Sequence, residues 1–189
     1  MRRFLVPALM ISLLLSGCGE SGRGLQRRVE EQRERFASAE EITFTADIRA
    51  DLGKEVFDCT LLCTAGPDAA SVEVMAPESV AGIRAQTGTD GLTLEYDGVS
   101  LAIGAIGTEG LSPLSAPPLL VSALRTGVPE HCWTERDGDR ALIAAETYVT
   151  DAAALTVWYD AEELTPVHCE FSRDGTVVLD CGIREFTMR

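Results

Sequence analysis

From Glu41 onward the hydropathy of this chain repeats every two residues, and that period commits it to a sheet. Ile42, Phe44, Ala46 and Ile48 alternate with Thr43, Thr45 and Asp47, and Phe57, Cys59, Leu61 and Cys63 with Asp58, Thr60 and Leu62. Val72, Val74 and Ala76 repeat the pattern, as do Leu92, Leu94 and Tyr96. Successive side chains of a strand point to opposite faces, so each run has one apolar and one polar side. Gly66-Pro67-Asp68, Asp90-Gly91 and Asp97-Gly98 supply turns between runs. Such short connections join antiparallel neighbours. Strand patterns resume at residues 132–135, 141–149 and 155–159. In the last hairpin Val167, Cys169 and Phe171 run out, Asp174-Gly175 turns, and Val177, Leu179, Cys181 and Ile183 return.

Two segments break this period. Over residues 25–40, Leu25, Val29 and Phe36 fall at spacings of four and seven among charges of alternating sign, which predicts a helix with a narrow apolar stripe. Residues 104–118 are rich in Gly and Pro and exclude a regular element. A short helix over 119–125 follows, started by Pro117-Pro118 and stopped by Gly127. The expected fold is α+β and mostly antiparallel β. Its roughly ten strands must curl and have their apolar face covered or filled. The expectation is a half-open curved β-barrel with an N-terminal helix and a short mid-chain helix covering the mouth. Aromatic residues make up only 6% of the chain. The small residues at inner positions either leave an apolar space or close the core tightly.

The first eighteen residues read as an address. Arg2 and Arg3 precede an apolar run from Phe4 to Leu15 that is too short for a permanent membrane helix. Leu15-Ser16-Gly17-Cys18 resembles the bacterial lipobox. In signals of that kind cleavage falls before the cysteine, and its sulfur receives a diacylglyceryl group. The expected organisation is a signal peptide over 1–17, a lipid-anchored tether over 18–24, and one domain over 25–189. Two acyl chains on Cys18 would hold the protein stably on the extracytoplasmic face of a bacterial membrane. Acidic residues outnumber Lys plus Arg by 30 to 16, for a formal charge of −14. A phosphate-tracking nucleic-acid binder needs the opposite balance.

The run Val74-Met75-Ala76-Pro77-Glu78-Ser79-Val80-Ala81-Gly82-Ile83-Arg84-Ala85 resembles part of the LolA/LolB-like lipoprotein-carrier superfamily. Leu155-Thr156-Val157-Trp158-Tyr159-Asp160, with Leu164-Thr165-Pro166 and the Gly-turn hairpin ending at Phe186, is similar to it too, as is the order of elements. The resemblance implies an incomplete antiparallel barrel, a lid of helices and an apolar cavity for acyl chains. It also implies non-catalytic roles: carriers of lipoproteins, lipid-binding lipoproteins or regulatory partners. One resembling branch is a germination lipoprotein that binds an enzyme instead of lipid.

Five cysteines follow Cys18: Cys59, Cys63, Cys132, Cys169 and Cys181. An odd number leaves at least one unpaired. Cys59 and Cys63 share a strand face but lie roughly 13 Å apart along it, beyond disulfide reach. Cys169 and Cys181 would sit directly opposite across a three-residue turn, and one residue out of register across a two-residue Asp174-Gly175 turn. His131-Cys132 and His168-Cys169 place adjacent side chains on opposite strand faces, so one ion could not use both members of a pair. No zinc spacing, nucleophile elbow or phosphate loop occurs, so neither a catalytic residue nor a resident metal or other cofactor is expected.

The expected function is therefore a membrane-anchored binder of lipid or lipoprotein acyl chains. Phe44, Phe57, Leu61, Val74, Leu94, Val167, Phe171 and Leu179 are the candidate cavity lining. The alternative is a filled barrel that binds an envelope enzyme.

Overall fold

The computed structural model describes residues 22–51, 53, 55–88, 91–104, 111–150 and 153–189. Cys18 and the address it belongs to lie outside these, as does Asp90. Helix α1 (Gly22–Ser38) leads into strands β1 (Ile42–Asp51), β2 (Val56–Ala65), β3 (Ala70–Ala76), β4 (Arg84–Gly88), β5 (Gly91–Tyr96) and β6 (Val99–Gly104). Helix α2 (Ala116–Thr126) follows, then β7 (His131–Asp137), β8 (Arg140–Thr150), β9 (Ala153–Asp160), β10 (Pro166–Arg173) and β11 (Thr176–Met188).

All eleven strands form one antiparallel sheet in the order β6-β5-β4-β3-β2-β1-β11-β10-β9-β8-β7. β6 and β7 stand at its two ends, so the curved sheet is a half-open barrel with two helices. The chain's two sheet-forming halves meet where β1 pairs with β11. β4 and β6 are strands that alternation did not single out. β4 offers only Ala85 as a buried apolar residue, and Val99 and Leu101 of β6 are exposed, so neither carries a clean two-sided pattern.

The inner face is made by the residues the period selects. Ile42, Phe44, Ala46, Ile48 and Ala50 of β1 are all buried, as are Leu61, Cys63 and Ala65 of β2. α1 closes part of this face with Leu25, Val29, Gln32 and Phe36. Phe186 joins the helix to the sheet, its ring edge-on to Phe36 at 5.8 Å and stacked on Phe44 at 5.9 Å. α2 starts at Ala116, three residues earlier than its apolar run suggests. Pro117 and Pro118 sit inside its first turn, where a missing N–H costs nothing. Gly127 ends the helix; a Cβ there would meet the Ala123 carbonyl oxygen at 2.6 Å.

Side chains latch both helices to the sheet rim. Arg28 donates to the Ala161 carbonyl at 2.6 Å, and Gln26 to that of Pro129 at 3.1 Å. Arg125 donates to the carbonyls of Gly66, Ala39 and Ala65, tying the last turn of α2 to the ends of α1 and β2.

Candidate functional site: an apolar cleft beside the filled barrel

Among the described residues, the barrel beneath the helices is packed with its own side chains. Phe36, Phe44, Phe171, Leu155, Leu179 and Leu124 are essentially inaccessible. A space between α1, α2 and strands β8 and β9 is about 20 Å³, lined by Val29, Phe36, Leu155 and Tyr159 among others. That is room for one water molecule. Burial holds the Tyr159 hydroxyl far above its ordinary pKa, so it stays neutral.

An open apolar volume lies to one side. A cleft of about 540 Å³ runs between β2, β3, the connection after β3, and residues 112–114 before α2. Leu61 and Val74, facing each other across the β2–β3 pairing, form its floor. Phe57 stands at the rim, 46% exposed. The far wall comes from the β3–β4 connection. There Val80 donates its N–H to Pro77, and Gly82 donates to Val74 with φ at +86°. This folds Pro77, Val80 and Ile83 back over the strand and into the cleft. Leu114 and Pro113 close the third side. Ser112 and Ser115 brace that segment by exchanging N–H to hydroxyl bonds of 2.9 and 3.2 Å.

Cys59 is the only thiol on the cleft among the described residues. Burial pushes it up to about 11, so at neutral pH it is a thiol and not a nucleophilic thiolate. Asp58, at the same end, is held by Arg49 at 3.3 Å.

The cleft thus gathers Phe57, Leu61 and Val74 of the eight residues named from the sequence. Phe44, Phe171 and Leu179 are inside the packed core instead. Leu94 is half-buried and packs against that core. Val167 lines a groove on the outer face of the sheet with Trp158 and His168. Its placement has a local cause. A bulge between Pro166 and His168 lets Pro166 pair with Tyr159 and His168 with Trp158, leaving Val167 without a partner and breaking the alternation that put it inside. Pro77, Val80, Ile83 and Leu114 were not named from the sequence. They sit in turns, where no periodicity reports which way a side chain faces.

The five cysteines of the described chain are free thiols. Cys169 and Cys181 are directly opposite in the β10–β11 register, both buried. The turn is the two-residue Asp174-Gly175 type with φ of +50° and +76°. A bulge between Phe171 and Ser172 then restores the register the two-residue turn would lose. His168 lies half-buried on the outer face and Cys169 on the inner one.

No family model and no curated protein matches the chain. Solved structures do. A domain from Vibrio parahaemolyticus described as an outer membrane lipoprotein-sorting protein superposes with a TM-score of 0.50 at 11% identity, covering 88% of this chain and 92% of that one. The lipoprotein LppX of Mycobacterium tuberculosis gives 0.48 at 11% identity, over 87% and 95%. A LolA superfamily protein of Nitrosomonas europaea gives 0.46 at 11%, over 87% and 93%. The Vibrio likeness concerns architecture alone: this chain shares the fold of that lipoprotein-sorting domain.

Proposed function

We propose that this protein is an extracytoplasmic lipoprotein, anchored through a diacylglyceryl group on Cys18, that holds an acyl chain of a lipid or lipoprotein in the side cleft without making or breaking a bond. The cleft carries the reading. Its volume of about 540 Å³ falls within the roughly 300–1,000 Å³ of small-molecule sites. Its walls are aliphatic and aromatic side chains with few polar groups to reward a polar ligand. Each methylene moved from water into such a wall contributes about 0.8 kcal/mol.

Cys18 precedes the start of α1 at Gly22 by four residues. Even fully extended, that tether spans only roughly 14 Å, which would keep the cleft close to the bilayer. Among the described residues no helix is long and apolar enough to cross a membrane; this reading attaches the chain through Cys18.

The test is native mass spectrometry of the purified chain, followed by displacement of a fluorescent fatty acid. Val80→Glu, at a rim position 38% exposed, places a charge in the cleft without disturbing the core. It should abolish probe binding, whereas Gln86→Lys on exposed β4 surface should not. Equal behaviour of the two variants would remove the cleft from consideration. Leu61→Arg is a poor probe, because Leu61 is 1% exposed and a charge there would unfold the sheet.

The filled interior beneath α1 and α2 favours a second reading, an interaction lipoprotein that recruits an envelope enzyme. Recovery of one stoichiometric partner together with an empty cleft would favour it.

A further inference from the structure

On the outer face of β10 and β11, two carboxylates stand directly opposite each other: Glu170 pairs in register with Asp180. Like charges so placed repel, and the sheet is weakened unless something positive lies between them. Elsewhere on the protein the carboxylates in cross-strand ion pairs each have an arginine. Asp47 has Arg184 at 2.6 Å, Asp160 has Arg140 at 2.8 Å, Glu73 has Arg84 at 3.1 Å and Asp58 has Arg49 at 3.3 Å. Arg49 is also the register partner of Asp180 across β1–β11, yet its ion pair is with Asp58. Among the described residues the facing carboxylates have only His168 within ion-pair distance, its Nε2 3.6 Å from Glu170 and its Nδ1 3.9 Å from Asp180.

We propose that His168, Glu170 and Asp180 form a surface site for a divalent metal ion of the zinc class. One donor atom from each side chain lies within 4.8 Å of the other two. Bonds of about 2.0–2.2 Å to imidazole nitrogen and carboxylate oxygen put such donors within roughly 4 Å of one another. Nε2 faces Glu170 and Nδ1 faces Asp180, and since one ion takes one imidazole nitrogen, closing the set turns the His168 ring and brings the second carboxylate round to the same nitrogen. One imidazole and two carboxylates are a ligand mixture that Zn²⁺ accepts, with water completing the tetrahedron. Two features prepare the place. The Trp158 ring lies 5.0 Å from the His168 ring and limits its motion. Gly182, opposite His168 in the register, has no side chain to occupy the space above the sheet. The ion would cancel the repulsion and clamp β10 to β11 from outside, at the level where Cys169 and Cys181 meet inside.

The test uses the full chain and Zn²⁺ itself as probe. Calorimetric titration should show one saturable site. His168→Asn and Glu170→Gln should each weaken it by about tenfold or more, with circular dichroism unchanged. Co²⁺ in the same site should quench Trp158 emission, and Trp158→Phe should remove that quenching while leaving Zn²⁺ affinity close to the parent's. Failure to saturate at millimolar Zn²⁺, or binding indifferent to both ligand variants, would overturn the site. So would binding abolished by alkylating the thiols alone, since the ligands would then be cysteines and not His168, Glu170 and Asp180.

Discussion

The Cys169–Cys181 pair lends itself to a quantitative expectation. The two side chains are directly opposite in register and 1–2% exposed. Facing residues of an antiparallel pair have Cα atoms about 4.5–5.5 Å apart, inside the range a disulfide spans. If the chain matures in an oxidising compartment, the two thiols should join as it folds. They would lose two protons and two electrons to the disulfide of an exchange partner, which leaves as a dithiol. The reaction belongs to folding rather than to the finished molecule, because the Cys169 thiol, hydrogen-bonded to the Cys181 thiol and buried, is held well above its ordinary pKa. The closed loop, residues 169–181, is 13 residues long, and for a loop of about that length lost unfolded-state entropy contributes about 3 kcal/mol. For a chain of this size each kcal/mol moves Tm by about 2–4 °C, so oxidation should raise Tm by about 6–12 °C. Calorimetry with and without reductant measures this, and intact mass after alkylation of the unfolded protein counts the thiols. Cys59, Cys63 and Cys132 should react while Cys169 and Cys181 do not. If all five alkylate, then refolding the protein with oxidised dithiothreitol separates the causes. Closure there would mean that the compartment is reducing, and failure to close would refute the geometric argument.

Other consequences follow from the packing and the charges. Phe171→Ala, at a side chain with no exposure, should cost about 3–5 kcal/mol in urea unfolding. Arg125→Ala removes the donors to three backbone carbonyls and should cost about 1.5–3 kcal/mol, read as loss of hydrogen-exchange protection first in α2. Arg184, through its hydrogen bonds, holds the Asp47 carboxyl below its ordinary 3.8. That contribution is present above pH 3.8 and is lost as pH falls through the lowered folded value. Asp47→Asn should therefore lower stability at neutral pH, where the contribution is fully present, and flatten the acid limb, the two proteins converging once pH is below the lowered folded value; an identical profile would show the pair to be without effect.

What the sequence disclosed is what periodicity can carry. β1, β2 and β11 each alternate over several residues, so inner residues such as Phe44, Leu61 and Leu179 could be named in advance. The apolar stripe of α1 was likewise visible at Leu25, Val29 and Phe36; Gln32, polar yet buried at the same stripe, was not. Bulges are where the reading slipped. The bulge at Pro166/His168 moved Val167 to the outer groove, and the one at Phe171/Ser172 reconciled a two-residue turn with facing cysteines. The cleft was the least legible feature. Its floor, Leu61 and Val74, comes from strands, but its walls come from the 77–83 turn and the 112–114 segment, whose shape depends on backbone hydrogen bonds.

The filled interior bears on where an acyl chain could go. To enter the barrel it would have to lift α1, exposing Leu25, Val29 and Phe36, all now buried. At about 1.5–3 kcal/mol for each such side chain, that opening costs roughly 5–9 kcal/mol before the latches of Arg28 and Gln26 are counted. At about 0.8 kcal/mol per methylene, an entering chain would need roughly six to eleven buried methylenes only to offset it. The side cleft is already open, and the same methylenes placed there contribute from the first. A ligand held between helix and sheet would therefore require a long chain and should loosen α1. A ligand in the cleft should bind at shorter chain lengths and leave the hydrogen-exchange protection of α1 unchanged. A chain-length series that binds only beyond about ten carbons, with α1 protection falling as it binds, would move the site from the cleft to the barrel.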